Sequence, residues 1–396
     1  MSTPGDGKKK FIVSNVVLLG LVSFFTDLSS EMIYPILPLY LATVLGATPM
    51  IIGVIEGIAE SLASTLKLFS GLAADKYGHK KHLAFAGYSA SLISKGIILM
   101  SATWGGVMFA RVVDRFGKGI RVAPRDALIA QAANADGMGR AYGLHKALDA
   151  LGAAAGILIA YLLMLNLPTE GDGFRMIFLL AMIPAAIALI FIPLVRDSGH
   201  KVKAKQLSFR WSGLDRRLQL FLILTFVFTL GNSSNAFMLL KAYDIGFPVR
   251  DAILLYFVLK LTSSVLAYPA GRLSDRMGRR ASLCAAYLLY SAAYLGIGLS
   301  TQTWSFWPLF AVYGVFVALS SASERALVAE VAPSDQKASA LGLHAAIVGL
   351  GLLPASIIAG VMWDLVGPSA PFLFGGTIAA LSGAGVLVIM RGHTQT

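Results

Sequence analysis

Gly71-Leu-Ala-Ala-Asp75-Lys76-Tyr-Gly78-His79-Lys80-Lys81 decides how this chain is read, because the pattern occurs twice. Gly271-Arg-Leu-Ser-Asp275-Arg276-Met-Gly278-Arg279-Arg280 follows two hundred positions later, about half the chain length. In both copies a long apolar segment runs into Gly-x-x-x-Asp, then a cation, then a second Gly, then further cations. The first Gly lets two helices approach closely. The Asp can pair with the cations or face a neighbouring helix N-terminus. The second Gly permits a tight turn, and the trailing cations hold the loop at the cytoplasmic face of a membrane. One such copy could be any short basic loop between membrane helices. Two copies at matching positions point to an internal repeat.

Both copies resemble the loop signature of major facilitator superfamily transporters, found between helices 2 and 3 and again between helices 8 and 9. The first copy departs from it at His79, where the family usually has Arg or Lys. The resemblance implies an all-α membrane protein of twelve transmembrane helices in two pseudo-symmetric six-helix bundles. It makes Gly71, Asp75, Gly78, Gly271, Asp275, Gly278 and Arg279 gate residues at helix ends, too shallow for a central binding site.

Composition agrees with a membrane protein. Of 396 residues, 56% are hydrophobic and 14% charged, with a mean hydropathy of +0.72; a soluble chain carries about a quarter charged residues. A net charge of +12 is compatible with nucleic acid binding, but the basic residues lie mostly in loops between spans, where lipid headgroups and topology explain them. The single cysteine, Cys284, excludes an intramolecular disulfide and sits in an apolar run, as packing. Met1 to Lys10 is polar, and the apolar run after it is too long for a signal peptide, so it reads as the first span.

Twelve spans of around the ~20 residues a bilayer needs run approximately over 12–41, 50–74, 82–102, 106–132, 140–165, 175–195, 218–241, 250–273, 281–300, 305–331, 338–362 and 370–390. Pro35 and Pro38 should bend the first near its outer end. Lys8 to Lys10, Lys76, Lys80, Lys81, Arg140, the Arg196–Arg217 segment, Arg276, Arg279, Arg280, Lys337 and Arg391 share one side. The positive-inside rule then puts both termini in the cytoplasm and the protein in the cytoplasmic membrane. The polar segment 196–217 reads as a cytoplasmic linker between a bundle of residues 1–195 and one of 218–396.

The repeat extends further. Arg125-Asp126-Ala-Leu-Ile-Ala130 parallels Glu324-Arg325-Ala-Leu-Val-Ala329, Gly143-Leu-His145 parallels Gly342-Leu-His344, and Gly152 parallels Gly351, all at an offset of 199. Parallel six-helix repeats of this kind belong to the same transporter class.

Ionisable residues within spans mark candidate sites, since each costs ~2.5–3.5 kcal/mol at the bilayer centre and needs a partner or a wet cavity. Asp27 lies mid-span with Glu31 four residues on, and Glu56 and Glu60 make a second such pair. Span four carries Arg111, Asp114, Arg115, Lys118, Arg121, Arg125 and Asp126; its Arg111, Arg115 and Lys118 form a basic stripe. Span five adds His145, Lys146 and Asp149, span seven Asn232 and Asn235, span eight Lys260, span ten Glu324 and Arg325. Helices 1, 4, 7 and 10 line the cavity in the resembled family, which favours Asp27, Arg111, Arg115, Asn232, Asn235 and Glu324. The substrate or coupling residues are therefore Asp27, Glu31, Arg111, Asp114, Arg115, Lys118, Asn232, Asn235, Lys260 and Glu324. Asp27 is read as the carrier of the coupling proton, and the stripe as the contact for an anionic substrate. Structural pairing of the stripe with Glu56, Glu60 or Asp149, and inner-gate salt bridges for Arg121, Arg125, Asp126, His145, Glu324, Arg325 and His344, stay open.

Other signals fail. Of the family's helix-four signature, Arg followed by Gln-Gly, only Arg111 carries over. Span five has Gly152 and Gly156 but lacks the Pro of the drug-antiporter signature. Gly117-Lys118 lacks the remainder of a P-loop, Asn232-Ser-Ser is a sequon inside a span, and no metal-ligand cluster or nucleophile elbow occurs. The expectation is a secondary active transporter, not an enzyme, without cofactor. It moves a small polar or anionic solute by alternating access, coupled to protons, as a monomer in the lipid bilayer with no nucleic acid partner. The alternatives are a proton-driven exporter of apolar or cationic drugs and, less favoured, a membrane sensor that binds without carrying.

Overall fold

The computed structural model describes residues 6–77, 80–133, 137–168, 171–197, 214–332 and 337–389, with the side chains of all but 6–14, 67–77, 338 and 339. Every regular element among them is helical. Eleven segments are long and apolar enough to cross a membrane. One further helix, α5 (Trp104–Ala132), matches the longest of them at 29 residues but carries seven charged residues along its length. The expected all-α membrane architecture is therefore present.

The helices divide into two compact units. The first holds residues 1–40 and 62–205, the second 41–61 and 206–396. The first contains α1 (Asp6–Ile33), α4 (Lys80–Met100), α5, α6 (Met138–Met164) and α7 (Gly171–Phe191). The second contains α8 (Arg216–Gly231), α9 (Ala236–Asp244), α10 (Val249–Met277), α11 (Arg279–Leu299), α12 (Phe306–Val331), α13 (Lys337–Leu365) and α14 (Ala370–Ile389). The short α2 (Leu37–Thr43) and the long α3 (Pro49–Tyr77) are each shared between them. The first half of α3 clusters with the second unit through polar contacts. Met50 N–H donates to the Asp364 carboxylate at 3.2 Å, and the Ser234 hydroxyl to that of Glu56 at 3.4 Å.

The repeat is visible in helix boundaries. α4 and α11 both have 21 residues and begin 199 apart; α3 and α10 both have 29 and begin 200 apart. The first spans of the two halves are broken at matching places. α1 stops at Ile33 and α2 resumes at Leu37, because Pro35 has no N–H to give the helix and its ring clashes with the preceding turn. α8 stops at Gly231 and α9 resumes at Ala236, 199 residues after Leu37, without any proline. Here the carbonyls released by the break are taken by tyrosines of α11: Tyr290 donates to Gly231 O at 2.8 Å and Tyr294 to Ser233 O at 3.4 Å. Such partners are needed where lipid offers no water to the backbone.

One helix pair sets the position of the charged residues in the first unit. α6 lies against α1 through Gly152 and Gly156, where a Cβ atom would be driven into the carbonyl oxygens of Phe24 and Leu28. Backbones can meet this closely only at glycine. Because α1 and α6 run in the same direction, residues one turn apart on each face one another in matching pairs.

Candidate functional site

Among the described residues of the first unit, charged side chains within the spans form two clusters. The first lies between α4 and α5. Ser91 donates to the Asp114 carboxylate at 2.6 Å, and Lys95 Nζ reaches both the carbonyl and the hydroxyl oxygen of Ser91 at 3.2 Å. Arg115 Nε lies 4.0 Å from Asp114. Arg121 stands over the Tyr88 ring at 4.5 Å and donates to Gly87 O at 3.5 Å, while Arg111 stands 5.8 Å from the Tyr34 ring centre. All four cations are buried, Lys95 to 2% exposure and the arginines to 5–6%. The charges of all four act on Asp114. Lys118, the last member of the stripe, is exposed.

The second cluster lies between α1 and α6. The carboxyl groups of Asp27 and Asp149 are within hydrogen-bonding reach of each other, with Lys118 and Glu31 close by. One turn nearer the helix starts, Ser23 and His145 Nε2 are 2.7 Å apart. Arg125 donates to the Ser23 hydroxyl at 3.4 Å and to Asp126 at 2.9 Å. Lys146, 80% exposed, bridges to Asp149 at 2.8 Å.

The second unit builds the same positions from aromatic residues. At the offset of 199, Ser91, Lys95 and Asp114 become Tyr290, Tyr294 and Tyr313. Tyr290 and Tyr294 stack with ring centres 4.1 Å apart, and both lie 5.8 Å from Tyr313. The Tyr313 hydroxyl donates to Asn235 at 2.9 Å, at the start of α9; half-buried Asn232 caps the end of α8. Lys260 stands over the Tyr256 ring at 5.3 Å. Glu324 accepts from the Tyr287 hydroxyl at 3.4 Å and lies 3.8 Å from His344 Nε2. Arg125 and Glu324 occupy equivalent positions, so one shared geometry holds His145 near a cation and its counterpart His344 near a carboxylate.

The gate motif is described in full only in its second copy. Gly278 takes φ +83°, a left-handed turn between α10 and α11 that favours glycine. Arg279 reaches Glu330 at 2.9 Å and Ala326 O at 3.3 Å, tying α11 to α12. Asp275 is exposed and Gly271 half-buried near the end of α10. In the first copy Gly71 and Asp75 fall within α3, but their side chains, and Gly78 and His79 altogether, lie outside the described residues.

The structure thus brings Arg111, Asp114 and Arg115 into one cluster and Asp27 and Glu31 into the other. It keeps Asn232, Asn235, Lys260 and Glu324 in the second unit. Two members of these clusters escaped the ranking by sequence. Lys95 is a single cation in an apolar span, and its signal was Ser91 four residues earlier on the same face. By sequence Asp149 stands only as a partner for the arginine stripe, although its spacing from His145 equals that of Asp27 from Ser23.

Comparison with known proteins agrees with this architecture. The family model of the Major Facilitator Superfamily matches residues 19–258 and 220–395. An uncharacterised MFS-type transporter of Methanocaldococcus jannaschii is 34% identical over 383 residues, covering 95% of this chain and 94% of that protein. A probable 4-methylmuconolactone transporter of Cupriavidus pinatubonensis is 25% identical over 79% of this chain and 77% of its own length. The multidrug resistance protein MdtH of Photorhabdus laumondii is 24% identical over 84% and 81%. Among solved structures, the nucleoside transporter NupG has the same fold, with a TM-score of 0.78 at 14% identity over 95% of this chain and 99% of that one. With two helical repeats, ionic clusters within spans and a family match along nearly the whole chain, this protein belongs to the major facilitator superfamily and is a transporter of that type, not an enzyme.

Proposed function

We propose that this protein is a proton-coupled secondary transporter of a small anionic solute, working by alternating access in the cytoplasmic membrane with both termini in the cytoplasm. The observation that carries the reading is the gathering of Lys95, Arg111, Arg115 and Arg121, all buried, near Asp114. Ionisable residues inside spans mark substrate or ion pathways, and a guanidinium binds a carboxylate through two parallel hydrogen bonds, so a buried cluster rich in arginine suits an anionic solute. Arg111 and Arg115 are the substrate contacts, and Asp27 takes part in coupling. The bundles of residues 1–195 and 218–396 act as the moving bodies, joined by the 196–217 linker, with Asp75 and Asp275 at the gates. Solute binding shifts the equilibrium between inward-open and outward-open states through its different affinity for each.

The Cupriavidus relative, named for a small organic solute, supports this reading. The MdtH relatives favour the second one, export of apolar or cationic compounds. Counterflow in proteoliposomes separates them. A panel of matched carboxylates, neutral analogues and lipophilic cations is offered with and without a pH gradient. Anion exchange, with accumulation when the gradient is present, supports the proposal. Accumulation of cations alone supports the exporter.

A further inference from the structure

Apart from the cations of α5 stands the polar ladder between α1 and α6. Its rungs are Ser23 with His145 and, one turn on, Asp27 with Asp149. Two carboxyl groups can hydrogen-bond to each other only through a proton that one of them carries. The close approach at Gly152 and Gly156 leaves α1 and α6 no room to separate the pair.

We propose that Asp27 and Asp149 together form a single proton-binding site, filled and emptied through the Ser23–His145 pair. The inference rests on the proton-coupled reading above for its role in transport. Asp149 is the new member, and His145 the new carrier.

The neighbours fit this division of labour. Glu31 on α1, Lys118 on α5 and Lys95 on α4 act on Asp27; Lys146 on α6 and Arg125 on α5 act on Asp149. Asp126 pairs with Arg125. On α7, which packs along α1, the charged residues Asp172 and Arg175 come nine and six residues before Ala181, whose carbonyl takes the Ser29 hydroxyl. Asp149 is held by two alternatives, the proton shared with Asp27 and the ammonium of Lys146 at 2.8 Å. When the proton leaves, the two carboxylates repel and Asp149 keeps Lys146.

The path to the pair is equally specific. Arg125 can only donate, so Ser23 accepts that bond and has its own hydrogen for His145 Nε2. This is the resting arrangement, with Nε2 unprotonated. The Ser23 hydroxyl turns its hydrogen toward the carboxyl pair, and a proton from solution then protonates the freed Nε2. The imidazolium then gives it to the Ser23 oxygen as the Ser23 hydrogen passes to the carboxyl pair. The hydroxyl and the imidazole are restored, and one proton has moved from solution to Asp27 and Asp149. Four residues span roughly 6 Å of helix rise, so the transfer covers one turn of α1.

The test needs no substrate. Purified protein in detergent is followed by infrared difference spectroscopy between acid and alkaline buffer, reading the carbonyl stretch of a protonated carboxyl group. The expected result is a proton-linked band lost in both Asp27→Asn and Asp149→Asn and kept in Asp172→Asn, a change at an exposed carboxylate of α7. His145→Gln should keep the band at equilibrium but slow its appearance after a pH jump by about a hundredfold. Survival of the band unchanged in either Asn variant, or an unaltered rate in His145→Gln, overturns the proposal. Should an Asn variant fail to fold, Asp27→Glu and Asp149→Glu must each shift the band, and an unshifted band is equally fatal. Transport assays keep this apart from the wider reading. A wild-type protein indifferent to a pH gradient, with the band behaving as expected, removes coupling and leaves the site. Coupled transport with a surviving band removes the site and leaves coupling.

Discussion

Lys95 and Tyr294 occupy the same position in the two repeats, 199 residues apart, and both turn toward the position held by Asp114 in one repeat and Tyr313 in the other. One half of the molecule fills this helix interface with opposite charges bridged by Ser91 and the other with stacked rings. A buried pair contributes little when complete but costs about 3–5 kcal/mol when one partner is removed. Asp114→Asn should therefore lower stability markedly, and adding Lys95→Met should cost little more, because one cation fewer then crowds Arg111, Arg115 and Arg121. Thermal unfolding in detergent reads this, and strictly additive losses would contradict it.

The glycines of α6 predict a steric effect. Gly152→Ala places a methyl group against the Phe24 carbonyl, an atom of the backbone that cannot swing aside. Overpacking of this kind costs about 1–3 kcal/mol. The same substitution at Gly143, where a Cβ meets open space, should be near neutral. Comparing the two melting temperatures checks the assignment of α1 against α6.

At the second gate motif, Asp275 is exposed at the end of α10 while Arg279 is engaged by Glu330. Asp275→Asn should slow transport with little change in equilibrium affinity, because the residue is an exposed one at the end of α10. Binding and flux measured on one preparation separate the two effects. Lost affinity at normal flux rates would assign Asp275 to binding instead.

The architecture was legible from the sequence because it is written in spacing. The offset of 199 set by Gly143-Leu-His145 and Gly342-Leu-His344 recurs in the starts of α4 and α11, and Pro35 marks the break after α1. The matching break at Asn232 was not legible, because no proline makes it. It is stabilised by Tyr290 and Tyr294 from another helix, and tertiary partners leave no local mark. The same limit applies to the site. The stripe of Arg111 and Arg115 is a property of one helix, but the pairing of Asp27 with Asp149 depends on which face of α6 meets α1. The clustering of residues 41–61 with the second unit is likewise tertiary, since α3 runs unbroken through Ser61.

The central claim is that the cations of α5 receive an anionic solute. The most direct measurement is equilibrium binding of the best carboxylate from the counterflow panel, with wild type, Arg111→Lys and Arg115→Lys titrated side by side. Lysine keeps the charge but loses the paired hydrogen bonds of the guanidinium. A charged hydrogen bond contributes about 1.5–3 kcal/mol, so the contacting position should lose roughly ten- to a hundredfold in affinity. Neutral analogues should bind weakly to all three proteins. Tight binding of lipophilic cations, unchanged in both variants, would contradict the account.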